Sequence, residues 1–165
     1  SQGSPDEAQA LAERAAQLIQ SQGLERALPS LQDPDGPFVD RDLFVFGVNP
    51  QGTLAFTSQD PKQAGKPMPM LATTDGRLLH EALWQAANTG QAWVEYESCD
   101  ADTLQMSVKM AHVTRVNDGL LLAAPVYKDP TGRKTERRGD APPGHLSRPY
   151  LDAQAPMATG SVLPF

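Results

Sequence analysis

Pro34-Asp35-Gly36-Pro37-Phe38-Val39-Asp40-Arg41-Asp42-Leu43-Phe44-Val45-Phe46-Gly47-Val48-Asn49 runs from a turn signal straight into an apolar stretch. Pro34, Gly36 and Pro37 break any preceding helix. Leu43, Val45 and Gly47 then alternate with Phe44, Phe46 and Val48, so both faces are apolar and the segment predicts a strand covered on both sides. Asn49-Pro50-Gln51-Gly52 supplies a hairpin-type turn with a glycine free to take positive φ, and Thr53 to Thr57 supplies a second strand.

Working outward, Asp6 to Gln22 carries Ala8, Leu11, Ala12, Ala15, Leu18 and Ile19 at helical spacing. Ser4 or Asp6 caps that helix, Pro5 suits its first turn and Gly23 stops it. A shorter helical piece, Leu24 to Leu31, ends ahead of Pro34, so the two form one long N-terminal helix with a break. Ser58 to Thr74, with Pro61, Pro67 and Pro69, reads as a long loop. A third helix is expected from Asp75-Gly76 through Leu78, Leu79, Ala82, Leu83, Ala86 and Ala87 to Gly90. Strands then follow at Gln91 to Glu97, Thr103 to Val116 and Gly119 to Tyr127, separated by turns at Cys99 to Asp102 and Asn117-Asp118-Gly119. Adjacent strands joined by short turns imply an antiparallel sheet of about five strands in an α+β domain, with the helices expected across one face.

The 165 residues suit one domain plus a tail, and 39% apolar with 21% charged residues is ordinary globular composition. The division expected is an N-terminal helical segment over 1–32, a core over 33–129 and a Pro-rich irregular tail over 130–165. Six prolines, Pro130, Pro142, Pro143, Pro149, Pro156 and Pro164, fall in that tail, where apolar periodicity stops. The net charge of −6 argues against a nucleic-acid surface, which needs clustered Lys and Arg. Residues 1–128 hold 9 basic against 16 acidic side chains, and 129–165 hold 5 against 4, so the globule carries the acidity. Cys99 is the single cysteine, which excludes an intramolecular disulfide and any Cys-based metal site within one chain. No apolar run approaches the ~18 residues of a membrane span, and a signal peptide is presumed already removed from an exported chain.

Gly36 to Phe46 (G-P-F-V-D-R-D-L-F-V-F), Gly52 to Ala55 (G-T-L-A), Ala64 to Lys66 (A-G-K), Trp93 to Tyr96 (W-V-E-Y), Val108 to Val113 (V-K-M-A-H-V) and Pro125 to Asp129 (P-V-Y-K-D) together resemble the single Cache domain. That family is a PAS-like, extracytoplasmic sensor module of bacterial chemoreceptors and histidine kinases. Each piece is a short apolar pattern, and it is their order and spacing, over about the first four-fifths of the chain, that make the resemblance specific. It implies a small carboxylate or amino-acid-like ligand held between the sheet and the loop-plus-helix segment over it, with no cofactor.

On that resemblance the candidate ligand-binding residues are Lys109, Trp93, Tyr96, His112, Thr57, Phe44, Phe46, Met68 and Met70. By strand parity Lys109 shares a face with Ser107, Ala111 and Val113, and it stands where the family often has lysine. A carboxylate would pair with it, whereas a solvated lysine on an exposed face is the competing reading. His112 replaces the tyrosine common in the family, but its parity is opposite to that of Lys109, so both reach one pocket only if a bulge intervenes. Trp93 and Tyr96 are also of opposite parity. Phe44 and Phe46 serve as core or as cavity floor, and Met68, Met70 and Leu71 as an apolar lid or a plug beneath the loop. Thr57 stands where many members have histidine, leaving the favourable charge to Lys109, with Lys66 and Arg77 as solvated charges nearby.

Enzymatic motifs are missing: there is no G-x-S-x-G, no phosphate-loop glycine motif and no H-E-x-x-H, and His80, His112 and His145 fall on a helix, a strand and the tail. The tail departs from the receptor pattern, in which a membrane helix follows the last strand, so a free-standing exported protein is expected. Its closing V-L-P-F, Val162 to Phe165, is suited to dock in a groove of its own or of a neighbouring subunit. The reading is therefore a periplasmic or otherwise extracytoplasmic sensor, not an enzyme, binding a small organic acid, with a membrane receptor or a second copy as further partner. The competing reading is a Cache-like interaction protein without ligand, engaging a partner through its tail or N-terminal helix.

Overall fold

The computed structural model describes residues 2–100, 102–129 and 165. Helix α1, Pro5–Gln22, opens with a capping box in which the Ser4 hydroxyl accepts from the Glu7 amide and the Glu7 carboxylate accepts from the Ser4 amide, at 3.2 and 2.9 Å. Gly23, at φ 83°, ends α1 and starts α2, Leu24–Leu31, so the expected break falls at the one residue without a Cβ to strain.

Five antiparallel strands follow: β1 Phe46–Val48, β2 Leu54–Thr57, β3 Trp93–Cys99, β4 Met106–Asn117 and β5 Leu120–Tyr127. They form one sheet in the order β2-β1-β5-β4-β3. Strand β1 is shorter than its apolar pattern predicts. Asp40 and Leu43 close a turn with reciprocal backbone hydrogen bonds of 3.0 and 2.9 Å, and the Ser58 hydroxyl takes the Val45 amide at 2.9 Å where a ladder would continue. Pro125 sits inside β5, which is tolerated because β1 pairs only with Leu121 to Ala123 and leaves that edge of β5 free beyond it.

The third helix, α3 Leu79–Thr89, starts later than Asp75-Gly76 suggests, with Leu78 at the N-cap and Gly90 closing it in the left-handed conformation. Asp75 is engaged instead in a turn, accepting from the Thr73 hydroxyl and pairing with Arg77 at 3.1 Å, while Ala72 bridges to Leu78. The loop between β2 and α3 includes a short 3-10 turn at Pro61–Gln63.

The helices do not share a face, contrary to the sequence expectation. Ala8, Leu11, Ala12, Ala15 and Ile19 of α1, with Ala27 and Leu31 of α2, pack on Leu122, Ala124 and Val126 at the back of β5. Leu79, Ala82, Leu83 and Ala86 of α3, with Met68 of the loop, pack on the front, over Phe46, Val94, Ala111, Val113 and Ala123. Strand β5 is apolar on both sides because it lies between these layers, its odd and even residues alternating between two separate cores. Among the described residues no helix is long and apolar enough to cross a membrane.

Candidate functional site

Strand register places the front-face side chains in rows. Tyr96 of β3, Lys109 of β4 and Tyr127 of β5 lie side by side, as do Ser98 and Ser107 one step along and Val94, Ala111 and Pro125 one step the other way. Directly opposed residues on antiparallel strands stand with Cβ atoms about 5 Å apart and point the same way, so these rows are contiguous patches. Lys109 is 4% exposed, with its Nζ 4.7 Å from the Tyr127 ring centroid and 5.8 Å from that of Phe44. Burial depresses its pKa to about 8, against an opposing pull from Asp42. The Tyr96 hydroxyl is buried and has no hydrogen-bond partner among the described residues, and burial, assisted by Tyr127, holds its pKa well above the usual value.

The segment over this face is strapped to the edge of the sheet. Glu97 donates to the Ala72 carbonyl at 2.9 Å, Thr74 to that of Glu95 at 3.2 Å, and Leu79 to that of Leu71 at 2.7 Å. At the far side the Trp84 indole donates to the Asn49 carbonyl at 2.8 Å and ties α3 to the β1–β2 hairpin. Phe165 lies on this front face as well. Its ring meets Phe46 edge-on at 4.8 Å and Phe44 at 5.7 Å, and its carbonyl oxygen accepts from the Ser98 hydroxyl.

Of the residues singled out from the sequence, Lys109, Tyr96, Phe44, Phe46 and Met68 fall on the front face. Met70 is half-buried on the covering loop. Trp93 and His112 do not join them. The register from Trp93 to Cys99 is unbroken, no bulge separates His112 from Lys109, and both side chains lie on the α1 side, ring to ring at 5.0 Å. There burial lowers the His112 pKa, with Glu13 of α1 opposing. Thr57 is fully buried opposite Phe46 on the front face, but β2 lies at the other edge of the sheet. Three strand spacings separate it from β4, about 14 Å, so it does not reach Lys109. Lys66 and Arg77 are exposed, Arg77 held by Asp75 and Gln85.

Sequence reasoning left Ser98, Tyr127 and Phe165 out of the ligand-binding set. Counting by twos from Tyr96 finds Ser98, whereas Tyr127 needs the β4–β5 register, and Phe165 is marked only as the end of an apolar V-L-P-F suited to dock in a groove. No group of three or more metal-ligating side chains occurs among the described residues. Among the described residues this face presents a buried cation and several hydroxyls within an apolar surround, the chemistry that holds an anion with an apolar body.

No protein-family model and no curated protein matches the chain. Solved structures do share its fold. A methyl-accepting chemotaxis protein from Vibrio parahaemolyticus RIMD 2210633 superposes with a TM-score of 0.60 at 16% identity, over 75% of this chain and 88% of that one. A Cache chemosensory domain described for its carboxylic acid recognition gives 0.53 at 14% identity, over 75% and 88%. The periplasmic sensor domain of a chemotaxis protein gives 0.52 at 15% identity, over 75% and 90%. The α+β architecture is therefore that of Cache-type sensor domains.

Proposed function

We propose that this Cache-fold domain is an extracytoplasmic small-molecule sensor that binds a small organic acid on its front face and takes part in bacterial signal transduction or chemotaxis. The observation that carries the reading is Lys109: a lysine 4% exposed, flanked by Tyr96 and Tyr127 and one step from Ser98 and Ser107. Burial disfavours its charged form, and a carboxylate beside it favours that form again, so ligand and site stabilise each other. The Tyr96 hydroxyl supplies a donor facing the same layer. The fold neighbours support the assignment, since they include chemotaxis sensor domains and one Cache domain that recognises carboxylic acids. The role is binding rather than turnover, and the signal passes to a membrane receptor or a second copy.

A ligand-free interaction domain is the second reading, favoured by Phe165, which already fills the space between Phe44, Phe46 and β3. A thermal-shift screen of the purified chain against short carboxylates, hydroxy acids and amino acids separates the two. A ligand at a hundred times its Kd adds about 2.7 kcal/mol, a shift easily resolved. A saturable shift confined to acids, abolished in Lys109→Met, is expected. A flat response across the panel refutes the sensor reading and leaves the interaction domain.

A further inference from the structure

Phe165 belongs to no helix or strand, yet it is 1% exposed and is part of the front-face core. The sequence places it 36 positions after Asp129, the last described residue before it. Its contacts divide into two chemical halves. The ring enters an aromatic seat, edge-on to Phe46 and Phe44. The carbonyl oxygen points to the polar end, where the Ser98 hydroxyl donates to it. Ser98 is paired with Ser107, and the next front-face residue of β4 is Lys109. The buried Tyr96 hydroxyl, without a partner among the described residues, is the β3 neighbour of Ser98 on that face.

We propose that Phe165 is an internal stand-in for the ligand: its ring marks the subsite for an aromatic group, its oxygen marks the subsite for an acid, and the cognate ligand is an aryl-substituted carboxylate that displaces Phe165 on binding. The proposal deepens the organic-acid reading and rests on it. Each part of such a ligand meets a group of the front face: the ring meets Phe44 and Phe46, and the acid meets Ser98, Tyr96 and Lys109. A short acid without a ring gains only the polar half and has to compete with a residue that occupies both. Because Phe165 is part of the same chain, it competes at a fixed effective concentration, and the apparent affinity of any free ligand is reduced by the fraction of time the seat is filled.

The test is calorimetric titration of the full chain and of Phe165→Ala with 3-phenylpropanoate, propanoate and 3-phenylpropan-1-ol. A seat filled more than nine-tenths of the time predicts at least about a tenfold gain in 3-phenylpropanoate affinity in Phe165→Ala, and weaker binding of the two partial probes to either protein. Nuclear Overhauser contacts from the Phe165 ring to Phe44 and Phe46 in the unliganded wild-type chain, lost when 3-phenylpropanoate saturates it, give a second readout that needs no variant to fold. If propanoate binds as well as 3-phenylpropanoate and neither senses Phe165→Ala, the stand-in assignment falls while the organic-acid reading survives. If no acid binds either protein although the ring contacts are present, the organic-acid reading falls and the stand-in assignment with it. Absence of the ring contacts in the unliganded chain overturns the assignment alone.

Discussion

Replacing Lys109 by Met removes the one charge buried on the front face among the described residues while keeping a side chain of similar length. In the wild-type fold the ammonium is held to a pKa of about 8, mainly by burial, against 10.5 when the chain is open. A lysine pKa depressed by folding destabilises the folded state while the group is charged. That cost is fully present below about pH 8 and is relieved as pH rises toward 10.5, because over this window the unfolded chain binds more protons than the folded one. Evaluating the linkage between pH 7 and 9.5 gives a gain of about 2 kcal/mol in wild-type stability from this group alone. Tyr96 and Tyr127 have raised pKa values and also contribute, but they are common to both proteins and cancel in the difference. Urea unfolding of wild type and Lys109→Met, followed by circular dichroism at constant ionic strength across that range, checks the claim. The variant is expected to be the more stable near pH 7, with the gap closing by about 2 kcal/mol at pH 9.5. Parallel stability curves would refute the assignment of Lys109 as a buried, desolvated cation, and with it the electrostatic reason for an acid ligand.

Three further outcomes are expected. On the back face, burial keeps His112 neutral, so stability falls as pH drops through the unfolded value of 6.5 towards the lower folded one, and His112→Phe flattens that acid limb in a pH series of thermal melts. Ser58→Ala leaves the buried Val45 amide without the hydroxyl that accepts from it at 2.9 Å and the Phe38 carbonyl without its donor at 2.9 Å; a loss of about 2 kcal/mol, read by chemical denaturation, is expected. Gly47→Ala drives a methyl into the Phe56 ring on the α1 side of the sheet and costs about 1–3 kcal/mol, whereas Gly65→Ala, with open space around it but a φ of 85°, costs only about 1 kcal/mol of backbone strain, so the two melts separate crowding from conformation.

Much of the architecture was legible because its signals are local. The helical spacing of Ala8, Leu11, Ala12, Ala15 and Ile19, the Ser4–Glu7 spacing and Gly23 placed α1 within one residue of its observed start. The alternation in β4 correctly set Lys109 with Ala111 and Val113 and apart from His112. What failed depended on side-chain hydrogen bonds that apolar periodicity does not show. The Ser58 hydroxyl shortens β1 from 13 residues away, and the Thr73–Asp75–Arg77 turn delays α3 by taking the acidic side chain that resembled a helix start. Thr57 was a candidate because it stands where many members of the resembled family have histidine. It lies on the front face, but in a distant column, since the order β2-β1-β5-β4-β3 sets the β1–β2 hairpin at the edge opposite β3.

Face and column differ in how strongly the fold enforces them. A one-residue slip of β4 against its neighbours would bring Lys109 to the α1 side, but it would also turn Ala111 and Val113 away from α3 and bring His112 and Met110 into their places. The apolar contacts of Ala111 and Val113 with the front core therefore hold the lysine in its sheltered position, although burial alone opposes its charge. A buried cation that the sheet could shed only by undoing its own core needs no ligand to keep it in place. The lysine's orientation is thus a property of the fold itself, and the proposed ligand would have only to meet a group already aimed at it.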